Sequence, residues 1–135
     1  KTIIFCREEL LVKQSDYPSS CSLVSLSQSP EGKGIGRFDT RAALQYLLEQ
    51  GCQKVLCEGG GQLAGSLIDG GLVDELYWFV APKMLVDKEA LPVVASTNTR
   101  LMADSVEWQI TGANFLGDDL LISALNPRHN GYTPI

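Results

Sequence analysis

The chain has 135 residues, 44% of them hydrophobic, and carries a formal net charge of −5. That size suits one globular domain with a modest core. The acidic balance argues against a nucleic-acid partner, which requires a basic face, and no apolar run approaches the roughly 20 residues of a membrane span.

Four cysteines, Cys6, Cys21, Cys52 and Cys57, form no C-x-x-C pair, and His129 is the one imidazole. Reduced thiols in a cytoplasmic setting, with Cys6 and Cys57 packed inside strands, are therefore expected in place of a disulfide, and no metal centre is expected. No signal-like segment is visible.

In chain order, Thr2 to Cys6 is β-prone, and Cys21 to Leu26 alternates with period two, so both read as strands. The intervening residues 7–20 fit neither pattern. Residues 27–36, SQSPEGKGIG, form a loop by their Ser, Pro and Gly content. Asp39 or Thr40 can cap a helix running to Gln50, with Gly51 as its C-terminal glycine. Lys54 to Cys57 is predicted as a short strand, Gln62 to Asp69 as a helix stopped by Gly70 and Gly71, and Glu75 to Ala81 as a strand. Trp108 to Asn114 and Leu120 to Leu125 read as an antiparallel pair around Gly117-Asp118. Residues 127–135 form a polar tail to a domain spanning 1–126.

The glycine run Gly59, Gly60 and Gly61, between the strand candidate and the helix, carries the chemistry. Glycines expose backbone N–H groups and let a ligand approach closely, and a helix start adds unpaired donors and the positive end of the dipole. A phosphate or pyrophosphate is the natural occupant, although an ordinary tight turn has the same outline. The helix is only about two turns long and the motif lies mid-chain, which argues against the first unit of a doubly wound fold. Glu58, at the end of the strand candidate and facing the turn, is poorly placed for core packing. Asp74-Glu75 reads as a solvated corner. Tyr77, Trp78 and Phe79 are explained by core or interface packing. Lys83, after Pro82, is placed either to reach an anion or to be solvated.

The segments Glu58-Gly59-Gly60, Leu63-Ala64-Gly65, Gly71-Leu72-Val73-Asp74-Glu75-Leu76 and Ala81-Pro82-Lys83 resemble the C-terminal reductase domain of the bifunctional riboflavin-biosynthesis deaminase-reductase. Phe38-Asp39-Thr40 with Leu44, Leu47 and Leu48, and Gly117-Asp118-Asp119-Leu120, extend the resemblance to most of Thr2 to Asn126. It implies an α/β, dihydrofolate-reductase-like fold with a mixed sheet flanked by helices. It also implies NADPH-dependent reduction of 5-amino-6-(5-phosphoribosylamino)uracil to the ribitylamino product, and a homodimer. By position, Glu58 matches the substrate-contacting glutamate, and Gly60, Gly61, Gln62, Leu63, Ala64, Gly65 and Ser66 match the segment that contacts NADPH. The resemblance identifies no catalytic acid or base. Cys6 falls near a cofactor-contacting Ser or Thr, and Arg7 is the nearby cation for a 2′-phosphate. Gly61 stands where the family usually has Pro, Gln62 where it has Thr, and Val86-Asp87 where it has a glycine. A substrate strand and loop usual at the front of the domain are not in this sequence, and the chain enters at Lys1 directly on a strand. A partial domain, the C-terminal portion of a longer polypeptide, is the expectation. Two other readings stay open: a reductase of the same fold acting on a pterin or folate-like substrate, and a non-catalytic dimerisation module.

Overall fold

The computed structural model describes residues 1–26, 38–95 and 101–128. The chain divides into two compact units, Lys1–Glu58 and Gly59–Ile135. The loop expected at 27–36 and all of the tail beyond Arg128 lie outside the described residues.

In the first unit, β1 (Thr2–Cys6) and β2 (Cys21–Ser25) pair in parallel, from Thr2 opposite Cys21 to Cys6 opposite Ser25. Their β-branched and aromatic residues suit a pleated surface. A parallel pair needs a long crossover, and here it contains a 3₁₀ run, Glu8–Asp16. That run explains why residues 7–20 show neither a helical nor a strand period. Gln14 ties it down: its Nε2 donates to Cys21 O at 3.1 Å and its Oε1 accepts from Leu23 N at 2.7 Å. One side-chain amide thus serves backbone groups of β2 that a third strand would otherwise serve.

The helix α1 (Thr40–Glu49) starts where the sequence indicates, with the Asp39 carboxylate accepting from Arg41 N at 2.9 Å and Ala42 N at 3.1 Å. Gly51, at φ 87°, closes it. Its N–H donates to Leu48 O at 2.8 Å and that of Cys52 to Leu47 O at 3.0 Å, a Schellman motif. Tyr46 packs edge-on against Phe5, ring centroids 5.7 Å apart at 88°, which joins α1 to β1.

One expected element of this unit does not form. Residues 54–57 form no strand, and Val55 and Leu56 are exposed. β propensity alone does not make a strand, which needs a ladder, and none of the described ladders includes these residues. Cys57 is accordingly exposed and not packed in a strand, whereas Cys6 is buried.

The second unit begins with α2 (Gly61–Asp69) and continues with β3 (Glu75–Val80), β4 (Gln109–Leu116) and β5 (Asp119–Leu125). Gly71, at φ 62°, ends α2. Its N–H donates to Ile68 O at 3.0 Å and that of Leu72 to Leu67 O at 2.9 Å, the same Schellman pattern as in α1. The strands form an antiparallel sheet in the order β3-β5-β4. Gly117 takes φ 64° at the first turn position of the β4–β5 hairpin while Asp118 keeps a negative φ, as a II′ turn requires. The ladder shifts register between Ile110 and Gly112, so Thr111 is the extra residue of a bulge.

Asn126 follows β5 and is buried. It donates through Nδ2 to Val73 O at 2.9 Å and through its backbone N to Asp74 O at 2.9 Å, and its Oδ1 accepts from Arg128 N at 3.1 Å. These bonds pin the corner before β3 to the end of β5. The register puts Leu76, Trp78 and Val80 on the same sheet face as Leu120, Ile122 and Ala124, and as Ile110, Ala113 and Phe115. Only Ala124 of these is buried. The α/β class with both parallel and antiparallel strands agrees with the sequence reading.

Candidate cofactor and substrate site

The first turn of α2 follows from its glycines. Gly60 is the N-cap, at φ −69° and ψ 171°, and it has no side chain to cap the helix. Its carbonyl accepts from Leu63 N at 3.0 Å and Ala64 N at 3.1 Å. The N–H groups of Gly61 and Gln62 are thereby left with no acceptor among the described residues. Two adjacent donors at the positive end of a helix dipole are an arrangement able to attract an anion. A Cβ placed on Gly60 would meet none of the described residues within 4 Å.

Of the seven residues from Gly60 to Ser66, the structure gathers Gly60, Gly61, Gln62 and Leu63 at that turn. Gly65 is buried on the inner side of the helix. The Ser66 hydroxyl donates to Gln62 O at 2.9 Å and so bonds back onto its own helix. Glu58 is the last residue of the first unit; it is exposed and makes no ion pair or hydrogen bond among the described residues. Its carboxylate is available to a ligand's hydroxyls.

The remaining candidates divide clearly. Cys6 is 6% exposed, so its thiol is packed inside the first unit. Arg7 pairs with Glu9 at 3.2 Å on the surface. Lys83 is exposed, and its backbone N–H donates to Ala81 O at 2.8 Å in a tight turn after β3. At the Asp74-Glu75 corner, Glu75 accepts from the Tyr77 hydroxyl at 2.9 Å, which assigns it a local role. A shallow depression of about 130 Å³ lined by Glu75, Tyr77, Thr111, Ser123, Ala124 and Leu125 shares no residue with 58–66. Its size is below that of ordinary small-molecule sites. Sequence reading missed the segment Pro92–Ala95, which lies against Gly61; its only local signal is a proline in an apolar stretch.

The family model of the RibD C-terminal domain matches residues 2–122. The chain belongs to that family. A 2,5-diamino-6-ribosylamino-4(3H)-pyrimidinone 5′-phosphate reductase from Methanothermobacter thermautotrophicus is 32% identical over 89 residues, covering 66% of this chain and 41% of that protein. The riboflavin biosynthesis protein RibD of Haemophilus influenzae is 41% identical over 66 residues, 49% of this chain and 18% of that protein. Among solved structures, Acinetobacter baumannii RibD superposes with a TM-score of 0.65 at 22% identity, covering 91% of this chain and 36% of that one. A deaminase/5-amino-6-(5-phosphoribosylamino)uracil reductase from Thermotoga maritima gives a TM-score of 0.62 at 16% identity, covering 92% of this chain and 37% of that one. These structural matches carry the fold, which is that of the RibD reductase domain and hence dihydrofolate-reductase-like. The chain thus spans between about a fifth and two-fifths of the length of these relatives.

Proposed function

We propose that this chain contributes the cofactor turn and a substrate carboxylate to an NADPH-dependent reductase of riboflavin biosynthesis. The reaction is reduction of 5-amino-6-(5-phosphoribosylamino)uracil to its ribitylamino product. The observation that carries the proposal is the uncapped start of α2, where the N–H groups of Gly61 and Gln62 have no acceptor, and Gly60 no close neighbour at its Cβ position, among the described residues, in a member of the RibD C-terminal domain family. The donor set fits a pyrophosphate: neutral backbone N–H groups and a helix dipole bind it without a cluster of cations.

NADPH, when bound, supplies the hydride that ends on C1′ of the sugar. The backbone of Gly60 to Leu63 binds the phosphates and fixes where the dinucleotide starts. Glu58 accepts hydrogen bonds from sugar hydroxyls and holds C1′ in place, a positioning effect. The surface pair of Arg7 with Glu9 leaves selection of the 2′-phosphate without an assigned cation. In this reading residues 1–126 form the reductase portion and 127–135 a tail. A homodimer would cover part of the apolar sheet face that includes Trp78 and Phe115, and sedimentation velocity reads that state directly.

A second substrate is favoured by a specific finding, since one relative is named for a 2,5-diamino-pyrimidinone phosphate. Turnover of both pyrimidine phosphates, with a pterin panel as control, separates the two and tests the folate-like alternative. The deciding experiment is calorimetric titration of NADPH, with NADH as control, into the chain and into any longer polypeptide that carries it. Preferential NADPH binding supports the reading; no binding by either makes the turn purely structural. In an active protein, Glu58→Gln is expected to lower kcat about tenfold or more. A loss within about twofold would remove the role assigned to that carboxylate.

A further inference from the structure

The glycines at the start of α2 look interchangeable in sequence and are not so in space. A Cβ on Gly60 would meet none of the described residues within 4 Å, whereas one on Gly61 would collide with Pro92 O and lie 3.1 Å from Val93 O. Both obstacles are main-chain carbonyls, which cannot swing aside as a side-chain tip can. Gly61 O also accepts from Ala95 N at 2.9 Å. The strap Pro92–Ala95 is therefore docked on the first turn of α2, and only glycine at 61 admits it there.

We infer that Gly61 is a positioning residue for this strap, and that strap docking and cofactor binding at the start of α2 reinforce each other. The coupling rests on the reading of that turn as the NADPH phosphate site. Its physical basis is one shared peptide group. The Gly61 carbonyl, which holds Ala95, and the Gln62 N–H, which is free, are the two ends of the same amide. An anion accepting from Gln62 N–H polarises that amide and makes Gly61 O a stronger acceptor, since hydrogen bonds in a chain strengthen one another. Linkage makes the effect reciprocal: a docked strap raises cofactor affinity by the factor by which the cofactor stabilises the strap.

The test is residue-resolved hydrogen exchange at Ala95 with and without NADPH, on the wild-type protein, Gly61→Ala and Gly60→Ala, with calorimetric NADPH affinity for these and for Ala95→Pro. Gly61→Ala is expected to speed exchange at Ala95 about tenfold or more without ligand, and NADPH is expected to slow it in the wild type. Gly60→Ala leaves Ala95 exchange unchanged. Ala95→Pro, which removes the donor while keeping Gly61, weakens NADPH about three- to tenfold with its melting temperature near wild type. This second variant keeps the test open if Gly61→Ala fails to fold. Unchanged Ala95 exchange in Gly61→Ala overturns the positioning role. Wild-type NADPH affinity in Ala95→Pro, or faster Ala95 exchange on adding NADPH, overturns the coupling alone. No NADPH binding by the wild type overturns the functional reading and the coupling with it, while the ligand-free exchange data still decide whether Gly61 docks the strap.

Discussion

At their C-termini α1 and α2 are closed by one device, a glycine at positive φ, Gly51 at 87° and Gly71 at 62°, inside a Schellman pair of hydrogen bonds. At their N-termini they part. The Asp39 carboxylate takes two backbone N–H groups of α1, whereas Gly60 offers α2 no side chain at all. A side-chain cap contributes about 1 kcal/mol of helix stability, so its absence leaves donors unused by the fold. The difference separates a helix whose start is structural from one whose start remains open to a ligand.

The largest expected effect comes from giving α2 a cap like that of α1. Gly60 occupies a φ and ψ that any residue adopts, with none of the described residues within 4 Å of its Cβ position, so Gly60→Asp should fold normally. Its carboxylate would accept from the free donors and set a negative charge where the pyrophosphate belongs. NADPH affinity is expected to fall about 100-fold, or about 2.7 kcal/mol, with no loss of thermal stability. Unchanged affinity by calorimetry would end the contrast between the two helix starts.

The shared C-terminal device predicts equal behaviour. Gly51→Ala and Gly71→Ala each force an L-residue into the left-handed region at a cost of about 1–2 kcal/mol, read by urea denaturation. If one loses far more than the other, the two helix ends are not equivalent. Neither substitution touches the donors of Gly61 and Gln62, so NADPH affinity should survive both. Asp39→Ala, at about 1 kcal/mol, should likewise reduce stability and leave cofactor binding alone.

These elements differ in how much of them the sequence revealed. Caps and glycine stops are local, and Asp39, Gly51, Gly71 and Gly117 could be read because the chemistry of each concerns its own few neighbours. The Lys54–Cys57 strand could not, since a strand exists only with a partner and propensity says nothing of whether one is adjacent. The 3₁₀ run Glu8–Asp16 carries neither the 3.6 period of an α-helix nor the 2.0 period of a strand, and the amide of Gln14 that anchors it bonds residues seven and nine positions away. The same limit hid Asn126, whose Nδ2 reaches Val73 O across 53 residues, behind an apparently polar tail. At the site, the glycine run and Glu58 were legible as types. That Gly61 serves the strap while Gly60 meets none of the described residues depends on Pro92 and Val93, some thirty residues on, and no local pattern encodes that division.

The smallest effect is also the most discriminating. Gly60→Ser adds a neutral hydroxyl where Gly60→Asp adds a charge, so comparing the two divides lost affinity into a share from occupied donors and a share from repulsion. Serine in place of glycine at an N-cap changes helix stability by only a few tenths of a kcal/mol, with a similar gain from the stiffer unfolded chain. The melting temperature should therefore rise slightly, by about 2 °C. If the open start of α2 is kept for an anion, this more stable protein must bind NADPH more weakly, since the hydroxyl competes for the Gln62 or Leu63 N–H. A fall of about three- to tenfold, smaller than that of Gly60→Asp, is the expected result. A rise in stability with undiminished affinity would mean that the donors at this turn are spare, and that the absence of a cap on α2 marks no site.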